Sequence, residues 1–148
     1  MDKGLVAQAQ VSIEAPPKRV WEALTIPSMI KKYFFDSDIV TNWKVGSPIL
    51  YRGEWEGKAY EDRGTALEIE PERSLVVTHW SPLSGSADSP ENYHIVRYEL
   101  EGNGSRTSVT IRQDNNASEA EVRDSEKNWP MMLSGLKALL EGDPPAAN

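Results

Sequence analysis

The spacing of apolar and polar positions changes period along this chain, and each change marks an element. "LVAQAQVSIEA" alternates Ala7, Ala9, Val11 and Ile13 with Gln8, Gln10, Ser12 and Glu14, the period of a half-buried strand over about residues 5 to 14. Pro16 and Pro17 suit the first turn of a helix, where missing N–H groups cost little, and "KRVWEAL" gives it an apolar edge of Val20, Trp21 and Leu24. After Pro27, "SMIKKYFF" reads as a second short helix with Ser28 as its expected N-cap. From Asp36 to about Asn115 the pattern predicts strands separated by Gly, Pro, Asn and Asp: "SDIVT", "PILYRGEWEG", "AYEDRGTALEIE", "RSLVVTHW", "NYHIVRYELE" and "RTSVTIRQDN", the last after the hairpin signal "GNGS". The expected order is one strand, two short helices, a six-stranded antiparallel meander and a long helix.

That last helix, about residues 117 to 141, carries Trp129, Met132, Leu133, Leu136, Leu139 and Leu140 on one face and Ser134, Lys137 and Glu141 on the other. At 1.5 Å per residue it is roughly 35 Å long, enough to cross a sheet. Pro130 interrupts the pattern. Inside a continuous helix it forfeits the bond to the Glu126 carbonyl at roughly 3 kcal/mol, so the spacing predicts a kink or restart near 126 to 130. The alternative without strain is a loop ending near Asn128, with Asn128 as N-cap and Pro130 in the first turn. "GDPPAAN" is expected to fray.

Strand neighbours across a turn share a face, so hairpin arithmetic predicts the register. A three-residue loop at "PER" puts Leu67 and Ile69 on one face with Leu75 and Val77, and centring the gap at residues 81 to 92 pairs Val77 with Val96 and Leu75 with Tyr98. Val109 and Ile111 extend that face, and Ile49, Tyr51 and Trp55 give an earlier strand a similar stripe; Arg52, Glu54, Thr78, Arg97, Glu99 and Arg112 fall opposite. The same register sets His79 against His94 on the inward face, near the gap. Core histidines bonded to neighbours are the plainest expectation for such a pair, and contact with a ligand is the alternative. The twelve residues of the gap exceed ordinary hairpin length and are expected to gate any cavity beside them.

Composition then narrows the function. A chain of 148 residues is expected to form one domain, residues 1–148, with its core at about 5–141. With no cysteine there is no disulfide framework, and two histidines without a third ligand fall short of a zinc set, so no metal and no cofactor is expected. A net charge of -7 and a pI near 4.9 disfavour nucleic acid as a partner. "MDKGLVAQAQ" lacks the apolar core of a signal peptide and no run is long enough to span a membrane, which makes a cytoplasmic location the expectation. No nucleophile with an orienting base stands at a recognisable spacing, so no catalytic residue is assigned.

Several blocks carry a resemblance. "VSIEAPPKRVWEALT" is similar to the opening of START-like (SRPBCC) domains, and "WKVGSPILYRG", "RGTALEIEPERSLVVTHW" and "NWPMMLSGLKALLE" resemble the activator of heat-shock protein 90 ATPase homologue family. The resemblance covers about Val11 to Glu141 and implies an α+β helix-grip fold, a curved antiparallel sheet around the C-terminal helix, with a cavity between them. By that analogy the cavity walls include Tyr51, Trp55, Leu67, His79, His94, Tyr98, Trp129 and Met132. The leading functional expectation is binding of a hydrophobic small molecule there. A co-chaperone-like contact with a chaperone partner is the first alternative, weakened because 148 residues leave no room for the extra N-terminal domain of the eukaryotic activator. A cyclase- or hydrolase-like enzyme with His79 or His94 as general base is the second.

Overall fold

A computed structural model describes residues 5–34, 37–82, 86–102, 104–116 and 118–141, with the side chain of Trp55 outside that description. Its elements are β1 (Ala7–Ile13), α1 (Pro17–Thr25), α2 (Pro27–Tyr33), β2 (Asp38–Val40), β3 (Pro48–Trp55), β4 (Lys58–Glu70), β5 (Ser74–His79), β6 (His94–Gly102), β7 (Thr107–Gln113) and α3 (Glu119–Leu140). The order is the one the periodicity predicts. The seven strands form one curved antiparallel sheet in the order β1-β7-β6-β5-β4-β3-β2, so the first strand closes the meander by pairing with the last.

Local chemistry accounts for the helix ends, with one correction. Pro17 and Pro27 both stand in the first turn of their helices, but the N-cap of α2 is Ile26, not Ser28, because Pro27 starts the helix one residue earlier. Ser118 caps α3, its side chain accepting from the Glu121 N–H. α3 runs unbroken through Pro130, so neither a loop before Asn128 nor a restart occurs, although the Glu126 carbonyl still lacks a donor from residue 130.

The core lies between the concave sheet face and the three helices. Ile13, Val20, Ile49, Val109, Ile111, Leu133 and Leu136 are each at most 1% exposed. Tyr33 pins α2 to α1 by donating its hydroxyl to the Ala23 carbonyl at 2.6 Å. It packs closely on Gly135 of α3, where an added Cβ would lie 3.2 Å from the Tyr33 Cβ. Trp43 donates its indole N–H to the Thr25 carbonyl at 2.6 Å and ties the β2–β3 connection to the end of α1. Among the described residues no helix is long and apolar enough to cross a membrane.

The β4–β5 hairpin corrects one face. The three-residue loop at 71–73 forms as expected, with Glu70 paired to Ser74 and Ile69 to Leu75. The pairing then slips: Glu68 faces Val76 and Ala66 faces Val77, leaving Leu67 as the extra residue of a β-bulge. Period-two alternation fails across a bulge, so Leu67 stands on the outer face, 44% exposed, and Ala66 takes the buried position.

Candidate functional site

The interior between sheet and helix is packed. Around Tyr51 and Tyr98, with Tyr33, Phe34, Trp43 and Val77, the remaining cavity is about 20 Å³. That is room for about one water, so the apolar cavity implied by the resemblance is not shown there. Aromatic rings take up the space: Trp129 meets Phe34 and Tyr98 edge-on at centroid distances of 6.3 and 6.4 Å, and Phe34 stacks on Tyr51 at 6.1 Å. Burial pushes the Tyr51 phenol far above its ordinary pKa, with Tyr98 and the negative charge of Asp62 adding to it, and burial does the same to Tyr98. Both hydroxyls therefore stay neutral.

The space lies at one end of the grip. A cleft of about 500 Å³ opens where β5, β6 and β7 approach the first turns of α3, with His79, Trp80, His94, Gln113, Glu121 and Asp124 among its walls. The symmetric gap predicts this convergence correctly, because His79 and His94 are direct cross-strand partners. Their side chains are 26% and 15% exposed, so neither ring is on open surface.

Each imidazole is oriented by a carboxylate. His79 Nε2 lies 3.0 Å from Asp62 Oδ2, and His79 also meets the Tyr51 ring edge-on at 5.2 Å. A carboxylate only accepts, so Nε2 carries the hydrogen and Nδ1 of the neutral ring is an acceptor. His94 Nε2 lies 3.2 Å from Glu121 Oε2 and its Nδ1 lies 3.2 Å from the Asp114 carbonyl. Both of its nitrogens thus face acceptors, and both contacts are hydrogen bonds only when the ring carries two protons.

Gln113 ties this end together. It is 7% exposed, donates to Asn116 Oδ1 at 2.7 Å and to Ser125 Oγ at 2.9 Å, and accepts the Trp129 indole N–H at 3.1 Å. Asn116 in turn donates to the Leu5 carbonyl at 2.8 Å. One amide thereby holds the end of β7, the start of β1 and the middle of α3 in register.

The eight wall residues implied by the family resemblance therefore separate. His79 and His94 line the cleft; Tyr51 and Tyr98 line the small interior void; Trp129 reaches the cleft only through Gln113. Met132, 2% exposed, is packed core, and Leu67 is on the outer face. The Trp55 side chain lies outside the described residues, as do residues 83–85 of the gap expected to gate the cavity and the 142–148 tail. Sequence reasoning passed over Asp62, Gln113 and Glu121. Two of them had a signal: Gln113 continues the inward parity of Val109 and Ile111, and Asp62 is the β4 partner of inward Tyr51. Among the described residues no group of three or more His, Asp or Glu side chains converges as metal ligands.

Comparison with known proteins places this geometry. The structure resembles the solution structure of ChR145 from Cytophaga hutchinsonii, 46% identical over 99% of each chain with a TM-score of 0.83. The Aha1 dimer from Colwellia psychrerythraea is 21% identical over 93% of this chain and 96% of that one, with a TM-score of 0.71. CalU16 from Micromonospora echinospora is 22% identical over 94% and 76%, with a TM-score of 0.73. At these lower identities the likeness is one of fold. No curated protein matches the chain. Residues 14–141 match the family described as Activator of Hsp90 ATPase homolog 1-like protein, and the chain belongs to that family.

Proposed function

We propose that this member of the family binds a small organic molecule in the cleft at the His79–His94 end of the grip. The observation that carries the reading is the contrast in room: about 500 Å³ at the cleft against about 20 Å³ in the interior. Small-molecule sites commonly measure roughly 300–1,000 Å³ and hold a few polar groups in fixed orientation. Two imidazoles set by Asp62 and Glu121, and an amide set by Trp129 and Ser125, supply such groups. The hydrophobic ligand expected from the family resemblance is thereby replaced by one that presents polar atoms to the cleft.

A thermal-shift screen of metabolites tests this. A ligand at one hundred times its Kd stabilises the fold by about 2.7 kcal/mol. For a domain of this size each kcal/mol raises Tm by about 2–4 °C, so a true ligand raises it by several degrees. Asp124→Trp places a large ring on an exposed position of the cleft wall and should abolish that rise while leaving the unliganded Tm nearly unchanged. A rise that survives the substitution would move the ligand elsewhere.

A second reading is contact with a protein partner, the kind of role the family description carries. Its support is a filled interior together with Leu67 and Ile95, 44% and 39% exposed on the outer face. An outer depression of about 410 Å³ lies beside them, lined by Leu67, Thr78, Pro90 and Tyr93. Leu67→Ser should weaken stimulation of a chaperone ATPase if that face makes the contact, and unchanged stimulation would remove it.

A further inference from the structure

The cleft's N–H donors are largely committed within the protein. His79 donates to Asp62, and both His94 nitrogens face Glu121 and the Asp114 carbonyl. The Trp80 indole N–H goes to Ser86 Oγ at 3.1 Å and the Asn92 amide to the Ala87 carbonyl at 2.9 Å. Gln113 spends its amide on Asn116 and Ser125, and Asn115 spends its own on the carbonyls of Glu91 and Tyr93 at 2.9 and 3.0 Å. The hydroxyls and the Asn128 amide in the lining accept as well as donate.

What the walls offer is acceptors and negative charge. Glu91, Glu121 and Asp124 line the cleft, and among the described residues no lysine or arginine does. Glu121 is engaged with His94, which leaves Glu91 and Asp124 as the carboxylates open to a ligand, with Asp62 behind His79. Hydrogen bonds from its own backbone N–H and from Ser89 hold the Glu91 carboxyl below the usual carboxylate range, so it is ionised at neutral pH. A buried oxygen of the lining adds uncancelled partial charge: Asn115 Oδ1 has no hydrogen-bond partner. Such an oxygen favours a positive charge nearby, more strongly in a partly enclosed site than in water. Trp80, stacked on Tyr93 with ring centroids 6.2 Å apart, supplies an aromatic wall.

We propose that the molecule held in this cleft is an organic cation, an ammonium or guanidinium compound whose N–H groups bond the carboxylates of Glu91 and Asp124. The proposal rests on the cleft being the binding site and assigns its chemical class. An anion meets like charge there, and a neutral molecule of the same shape forfeits the charge-assisted bonds.

Three compounds of one shape test it: benzylammonium, benzyl alcohol and benzoate, titrated at up to tens of millimolar. Binding is followed by the NMR signals of the Trp80 indole and the Gln113 and Asn115 side-chain amides. Benzylammonium should bind about tenfold more tightly than benzyl alcohol, the scale of a charge-assisted bond, and benzoate should not bind. Added salt should weaken the cation alone, and the double variant Glu91→Gln, Asp124→Asn should reduce its preference to near parity. Benzyl alcohol or benzoate binding at these signals as tightly as the cation would overturn the charge assignment and leave the cleft standing. A cation that shifts only signals outside the cleft, or three compounds that shift none of these signals, would overturn both.

Discussion

The two halves of α3 cross the same sheet and differ in what they set against it. Residues 131–140 bury Met132, Leu133, Leu136 and Leu140, each no more than 3% exposed, into a surface of Ile13, Val20 and Ile111. Residues 119–128 bury no side chain fully. They are held by individual bonds: Glu121 to His94 at 3.2 Å, Ser125 to Gln113 at 2.9 Å, and Glu126 to the Gln8 N–H at 3.1 Å. Pro130 stands between the halves. Where both surfaces are apolar, contact is non-directional and side chains close the space. Where both are polar, a few directed bonds fix the separation and leave a cleft between them. The cleft end of the molecule is therefore its less densely packed end.

The largest expected effect is at the packed half. Leu136→Ala should cost about 2–5 kcal/mol in chemical denaturation, against about 1 kcal/mol or less for half-buried Val122→Ala in the first half. Equal costs would erase the contrast. Gln113→Ala comes next: it leaves the Trp129 indole N–H without its acceptor and buried Asn116 Oδ1 without its donor, for a loss of about 1–3 kcal/mol. Its effect should appear as changed Trp129 fluorescence together with lost stability.

Pro130→Ala restores a donor to the Glu126 carbonyl. Proline in a helix interior is about 3 kcal/mol worse than alanine, and the more flexible unfolded chain returns up to about 1 kcal/mol of that. The net expectation is a gain of about 2–3 kcal/mol with slower amide exchange near residues 126–130. A loss of stability would mean that the proline ring packs usefully at the junction. Glu121→Gln should cost less than about 1 kcal/mol, since the pair is partly exposed, and should speed amide exchange in residues 119–128 without changing 131–140.

The smallest effect is a control at the far end of α3. The Glu141 carboxyl is held below its ordinary pKa, first by the hydrogen bond from Lys137 and then by the Glu14 backbone N–H. A lowered folded-state value means stabilisation that is present above the ordinary carboxylate range and lost as pH falls through the lowered value. Glu141→Gln should therefore lower Tm slightly at pH 7 and have no effect once the pH lies below the lowered value. A difference that persists in acid would show that the Lys137 contact is not its source.

How far the sequence could be read follows from the range of each interaction. The strand and helix periods, the three-residue loop at 71–73 and the facing of His79 and His94 all depend on local alternation or on counting across a turn. They are legible because period two and period 3.6 belong to the backbone itself. Leu67 was misplaced because one bulged residue reverses that count, and nothing in "GTALEIE" announces it. Continuity of α3 through Pro130 was likewise not local. A helix tolerates the missing bond when its flanks are held from outside, here by the Leu133–Leu136–Leu140 stripe on one side and Gln113 on the other.

By itself, then, the sequence determined the elements, their order, the inward faces of most strands and the meeting of the two histidines. Only the tertiary structure decided where the space lies. Trp129, Tyr51 and Tyr98 are apolar enough to line a cavity or to fill one, and the choice depends on how side chains from β3, β6, α2 and α3 fit together. Asp62, Gln113 and Glu121 reach the histidine end from three separate elements. Their partnership exists only after the chain has folded, because each bond depends on positions set by residues far away in sequence.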